Sequence, residues 1–152
     1  MCSSDLGTDI GVVSAWQRNS AHRREWAART LEEVVFRRDP QATVAVWGLT
    51  YKENTHSTKN SPSLATLARF PGKKFRVHDP VLEAKEQPLE AARSADALMI
   101  LTPWPQYRQI APGDIAKAMR GRVVLDPYRV LDLEAAHKAG LQLHTLGRAA
   151  NA

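Results

Sequence analysis

Apolar side chains fall along this chain in two rhythms, and the change from one to the other marks its elements. Over residues 11–36 they stand at Val12, Val13, Trp16, Trp26, Ala27, Leu31, Val34 and Val35, loosely at helical spacing with arginines between them. This predicts one long helix. It must stop before Asp39-Pro40, because proline cannot continue the hydrogen-bond ladder and displaces the preceding residue from the helical region.

Beyond that proline the pattern shortens to apolar bursts. "TVAVWG" (43–48), "KFRVHD" (74–79), "ADALMILT" (95–102), "GRVVLD" (121–126) and "LQLHTL" (141–146) read as strands, the first apolar enough to be buried on both faces and the third the strongest candidate. Helical segments are predicted between them. One starts at Ser61-Pro62 with a serine cap and a proline in its first turn, and others run from Glu90 to Ser94, Pro112 to Met119 and Leu131 to Ala139, where Gly140 is a natural stop. Strands alternating with helices imply parallel pairing through crossovers, so the expected fold is a three-layer α/β, Rossmann-like open parallel sheet preceded by one long helix.

Length and composition agree with this picture. A chain of 152 residues, 43% hydrophobic and 24% charged, suits a single core with an appended helix. Its formal charge of +5 favours anionic partners. Arg18, Arg23, Arg24, Arg29, Arg37 and Arg38 crowd the first forty residues, but no recognition motif accompanies them, so they read as a solvated helix face and not as a nucleic-acid surface. The one cysteine, Cys2, excludes an internal disulfide and points to a reducing, cytoplasmic setting. No apolar run reaches the roughly 20 residues of a membrane span, and no signal-peptide layout is present. The opening "MCSSDLG" differs in character from the rest of the chain and resembles the translation of a sequencing-adapter end, so residues 1–7 are expected to be a non-native leader.

In an open parallel sheet, ligands bind beyond the carboxyl ends of the strands. The loop after the first strand offers Thr50, Tyr51, Lys52, Thr55, His56, Ser57 and Lys59, with lysines as point charges for phosphate and a tyrosine ring for stacking, and it leads into a helix start that favours an anion. Gly48 stands alone there, so the turn is no G-x-G-x-x-G dinucleotide fingerprint. Asp79, before Pro80, reads better as a turn residue than as a ribose ligand. Trp104 and Tyr107 read as packing aromatics, while Arg129 offers a guanidinium fork for phosphate or carboxylate. Neither a zinc site nor a nucleophile with its base can be assembled; the five histidines read as solvated and the serines as caps.

The blocks "VAVWGLTYKENTHSTKNSPSL", "VHDP", "ADALMILTPWPQY", "VVLDPYRVLD" and "GLQLHTLGR", in this order and spacing, resemble the C-terminal domain of the UDP-glucose/GDP-mannose dehydrogenases over about residues 43–148. That family oxidises a sugar C6 alcohol to a carboxylate in two NAD-dependent steps through a cysteine-bound intermediate. The resemblance implies residues 8–38 as the end of a central linker helix and 41–150 as the domain holding the nucleotide of a UDP- or GDP-sugar. It also implies that the NAD domain and the catalytic cysteine region are missing from this chain, which would leave it inert alone, and that the full enzyme forms a homodimer through the central helix. Tyr51 and Lys52 fall on the family's aromatic-lysine pair and would contact the nucleotide sugar. Lys59 takes the place of an arginine expected to reach NAD. His56-Ser57 replace an acidic pair, and Asp126-Pro127-Tyr128 replace Asp-Gly-Arg, with Arg129 one position later as the substrate-binding candidate. A different class of reading is a non-catalytic α/β interaction or regulatory domain, with the same loop packed against a partner. A self-standing NAD domain is disfavoured by the missing glycine turn.

Overall fold

A computed structural model describes residues 11–84 and 87–147. Expectations for residues 1–10, including the leader and Cys2, and for residues 148–150 at the end of the expected domain, lie outside the described residues. Helix α1 (Gly11–Leu31) runs into a π-helical turn over Glu32–Phe36, and the chain then turns through Asp39-Pro40. The expected helix is therefore present, but its last turn widens. Arg37 N–H donates to Glu32 O at 2.9 Å across that turn, while Val35 and Phe36 enter the core.

Five strands among the described residues form one parallel sheet: β1 (Thr43–Trp47), β2 (Lys74–His78), β3 (Ala97–Ile100), β4 (Val123–Leu125) and β5 (Gln142–His144), in the order β2-β1-β3-β4-β5. Helices α2 (Pro62–Leu67), α3 (Pro88–Ala92), α4 (Pro112–Ala118) and α5 (Leu133–Lys138) connect them, with a 3-10 turn over Pro105–Gln109 that the sequence pattern does not signal. The capping expectations hold. Ser61 Oγ accepts from Leu64 N–H at 3.3 Å, and Gly140 ends α5 with φ +77°. Helix α5 begins at an Asp132 cap, two residues later than its apolar pattern suggests.

Strand alternation splits the core into two layers. Val44, Val46, Ala97 and Met99 face α1 and its π turn, through Ala28, Leu31, Val35 and Phe36. Ala45, Trp47, Leu98 and Ile100 face the opposite way, against Ala92, Ile115 and Ala136 from α3, α4 and α5. The three-layer α/β architecture follows from this. β3, central in the sheet, is wholly buried, whereas edge strand β2 turns Lys74 and Arg76 outward, charges that discourage pairing with another chain. No helix among the described residues is long and apolar enough to cross a membrane.

Candidate functional site

The strand order reverses at β1, which pairs with β2 on one side and β3 on the other. In such sheets the crevice for a ligand opens at that reversal, beyond the carboxyl ends of the two diverging strands. Gly48 leaves β1 there at φ +95°, and a Cβ on it would lie 2.4 Å from the Cβ and 2.7 Å from the backbone nitrogen of Thr102 at the end of β3. The chain passes because this residue has no side chain. Thr102 Oγ1 then donates to Thr50 O at 2.9 Å, tying the outgoing loop to β3.

The other side of the loop is tied to β2. Leu49 N–H and Thr50 N–H donate to Asp79 Oδ2 at 2.7 and 3.2 Å, while Val81 N–H and Leu82 N–H donate to Oδ1 at 3.0 and 3.2 Å. Burial alone would push this carboxyl up. The four backbone donors of Leu49, Val81, Thr50 and Leu82 outweigh it and hold Asp79 below the ordinary carboxylate range. Asp79 is thus the turn residue its Asp-Pro sequence suggests, with both oxygens already engaged.

Between Leu49 and Ser61 the loop closes on itself. Tyr51 N–H donates to Ser57 O at 2.9 Å, Ser61 N–H to Thr58 O at 3.0 Å, and Ser61 Oγ to Leu49 O at 2.6 Å, so Ser61 fixes both the loop and the start of α2. Asn54 and Asn60 take left-handed backbone, each at φ 58°, which asparagine tolerates better than most residues. This closure leaves Tyr51, Lys52 and Lys59 exposed, with no ion pair for either lysine among the described residues. A fixed loop with free ammonium groups and an open ring can take a phosphorylated, planar ligand.

Arg129 is not brought beside Tyr51 and Lys52 in any contact the structure shows. It occupies left-handed backbone at φ 54° and lines a cleft of about 460 Å³ beyond β4 and β5 together with Arg108, Leu131, Leu133, Leu143 and Thr145. Asp126 anchors that turn. Its Oδ2 accepts from Leu131 N–H at 2.9 Å, while the buried Oδ1 has no partner among the described residues, and burial pushes the carboxyl up against the backbone donors that favour its charge. Tyr128, the neighbour of Arg129, is the residue nearer the first loop. Burial raises its hydroxyl pKa first, and the charges of Glu53 and Tyr51 add to the effect. Sequence reasoning singled out neither Tyr128 nor Arg108, because their placement depends on which strand ends lie side by side.

The expectation of solvated histidines needs correcting at two positions: His144 in β5 is half-buried, with burial first lowering its pKa, and His78 departs further. His78 is not solvated: it is 5% exposed at the end of β2, its Nδ1 lies 3.0 Å from Tyr107 Oη, and burial lowers its pKa against the raising effect of Asp79. Tyr107 is fully buried, stacked on Trp47 at 5.1 Å between ring centroids, and its hydroxyl lies 3.1 Å from His78 O. Alternation along β2 faces this histidine inward, which the isolated residue type does not reveal. Trp104 and Tyr107 are packing aromatics, buried in the core and not at the edge of the sheet where their sequence position suggested. Among the described residues no three of His, Cys, Asp or Glu come together to hold a metal ion.

Residues 45–133 match the UDP binding domain of the UDP-glucose/GDP-mannose dehydrogenase family. The UDP-glucose 6-dehydrogenase of Pseudomonas aeruginosa is 31% identical over 139 residues, covering 79% of this chain and 31% of that protein. The UDP-N-acetyl-D-mannosamine dehydrogenase of Pyrococcus horikoshii is 29% identical over 134 residues, covering 84% and 32%. The chain therefore spans about a third of the length of the curated relatives it matches. Among solved structures, the UDP-D-ManNAc dehydrogenase of Pyrococcus horikoshii superposes with a TM-score of 0.78 at 24% identity over 93% of this chain and 34% of that one. A UDP-glucose dehydrogenase from Pyrobaculum islandicum gives 0.63 at 25% identity over 88% and 32%.

Proposed function

The chain belongs to the UDP-glucose/GDP-mannose dehydrogenase family, matching its UDP binding domain, and from that premise we propose that it binds the nucleotide end of a UDP- or GDP-sugar within an NAD-dependent 6-dehydrogenase. That enzyme oxidises the sugar C6 alcohol to a uronate. The observation that carries this reading is the loop at the reversal of strand order, fastened by Asp79 and Thr102 and presenting Tyr51 and Lys52 outward. Lys52 supplies positive charge to the diphosphate and Tyr51 a ring against the nucleoside, while Arg129 is a further substrate contact from the β4 side.

NAD fits this chain poorly at its first turn. The space a Cβ would take at Gly48 is filled by Thr102, so no pyrophosphate can approach the backbone there as it does at a glycine-rich turn. In this reading NAD is held mainly by other parts of the enzyme, and Lys59 reaches toward it as a single charge without the fork of an arginine. Residues 8–38 are then the end of the central helix and 41–150 the nucleotide-sugar domain, preceded by a non-native 1–7, and the chain alone binds without turnover.

Calorimetric titration of the chain with UDP, GDP and their sugars tests the proposal. Binding is expected for one base over the other, with Lys52→Ala weakening it by about tenfold, as loss of one charge-assisted contact of roughly 1.5 kcal/mol requires. Absence of any saturable heat at millimolar ligand, with the fold intact, would overturn it.

A further inference from the structure

Arg108 and Arg129 come from different connections, the 3-10 turn after β3 and the turn after β4, yet both line the same cleft of about 460 Å³. Neither makes an ion pair among the described residues, although Glu25, Glu90, Asp96 and Asp114 each do with other bases. Arg108 is exposed and held at the rim of the cleft by the backbone: its Nη1 donates to Arg129 O at 3.4 Å, its charge also acts on the Asp126 carboxyl, and the remaining guanidinium donors make no hydrogen bond among the described residues. Arg129 holds left-handed backbone, a conformation that costs an ordinary side chain roughly 1–2 kcal/mol and persists only where surroundings impose it. Here the Asp126 carboxylate imposes it by gripping Leu131 N–H two residues on.

The rest of the lining says what sort of molecule fits. Val130, Leu131, Leu133 and Leu143 give apolar walls, and the hydroxyl of the buried Thr145 is the neutral polar group. Asp132 is also on the rim, but its Oδ1 is committed to capping α5, accepting from Ala135 N–H at 2.7 Å. A cleft of this volume is several times larger than an inorganic anion needs and falls in the range of small-molecule sites.

We propose that Arg108 and Arg129 form one oxyanion site, gripping the phosphate or carboxylate of a small organic molecule whose apolar body lies against Leu131, Leu133 and Leu143. Paired guanidinium forks recognise either oxyanion by parallel N–H donors, and the apolar walls exclude a bare, fully hydrated ion. The assignment goes beyond the nucleotide reading, because none of the residues lining this cleft belongs to the loop of Tyr51 and Lys52.

The test is a two-dimensional NMR titration of the isotope-labelled chain with phenyl phosphate, benzoate and inorganic phosphate at constant ionic strength. Saturable shifts confined to residues 130–133, 143–145 and the arginine side chains are expected, with phenyl phosphate or benzoate binding at least about fivefold tighter than inorganic phosphate, roughly the worth of one or two buried methylenes. The tighter of the two organic anions names the oxyanion. Arg108→Gln and Arg129→Asn should each weaken binding about tenfold or more, asparagine being chosen because it tolerates the left-handed backbone, and preserved spectral dispersion shows that each variant is folded. Shifts that never saturate, binding that survives Arg108→Gln, or binding that is lost with Lys52→Ala would each overturn the assignment. Failure of the nucleotide reading registers separately, as missing UDP-induced shifts over residues 49–60.

Discussion

Asp79 shows how one side chain can fasten a loop at the ends of two strands. It is fully buried, and four backbone N–H groups from two segments converge on its oxygens. Its folded pKa lies below the ordinary 3.8, so its stabilisation is present above that value and is lost as the pH falls through the folded value. Asp96, held down first by its hydrogen bonds from Arg120, acts with the same sign. Asp126 has the opposite sign: pushed up by burial, it contributes stability below 3.8 that is lost as the pH rises through its folded value. Asp79→Asn sets an NH2 group against two of the four donors and is expected to cost about 2–3 kcal/mol at pH 7. The cost should shrink as the pH falls below 3.8, where the unfolded carboxylate protonates before the folded one. Urea unfolding midpoints of both proteins across that range check this, and a cost independent of pH would contradict it.

Among the elements, the crossing of β1 and β3 is the tightest constraint. Gly48 combines φ +95° with Thr102 packed where its side chain would be, so alanine there meets two separate penalties. Gly48→Ala should destabilise by about 3 kcal/mol or more, from backbone strain added to overpacking. Adding Thr102→Gly removes the Cβ and Oγ1 contacts and leaves the 2.7 Å approach to the residue 102 backbone nitrogen and the strain, so the double variant should recover only part of the loss, even after giving up the Thr102 to Thr50 hydrogen bond. Chemical denaturation of the two variants separates the contributions. A double variant no better than the single would show that the Thr102 side chain is not what limits this position.

At the scale of the molecule, the N-terminal half of α1 leaves large apolar side chains uncovered. Trp16 is 76% exposed and Val12 78%, whereas Ala27, Ala28 and Leu31 further along the same helix are buried against the sheet. Large apolar side chains gathered on one exposed stripe suit a partner surface, and we propose that a second copy of the chain covers it, as the central helix would in a dimeric dehydrogenase. Sedimentation equilibrium should then report a dimer that Trp16→Glu converts to monomer without changing the unfolding of the sheet domain. A wild-type chain that stays monomeric over the micromolar range would contradict this.

The sequence by itself determined the elements and their order, because strand and helix periodicities, proline breaks, the Ser61 cap and the Gly140 stop are local signals. It determined the candidate loop at the end of β1 as well, since Tyr51, Lys52 and Lys59 are contiguous with the strand that positions them. The tertiary structure decided what depends on neighbours distant in the chain. The π turn at Glu32–Phe36 follows from seating Val35 and Phe36 in the core, and the burial of His78 against Tyr107 joins residues 29 positions apart. Arg129 shares its cleft with Arg108 and not with the first loop, because parallel pairing sets the ends of β3, β4 and β5 side by side, and no local pattern encodes which ends those are.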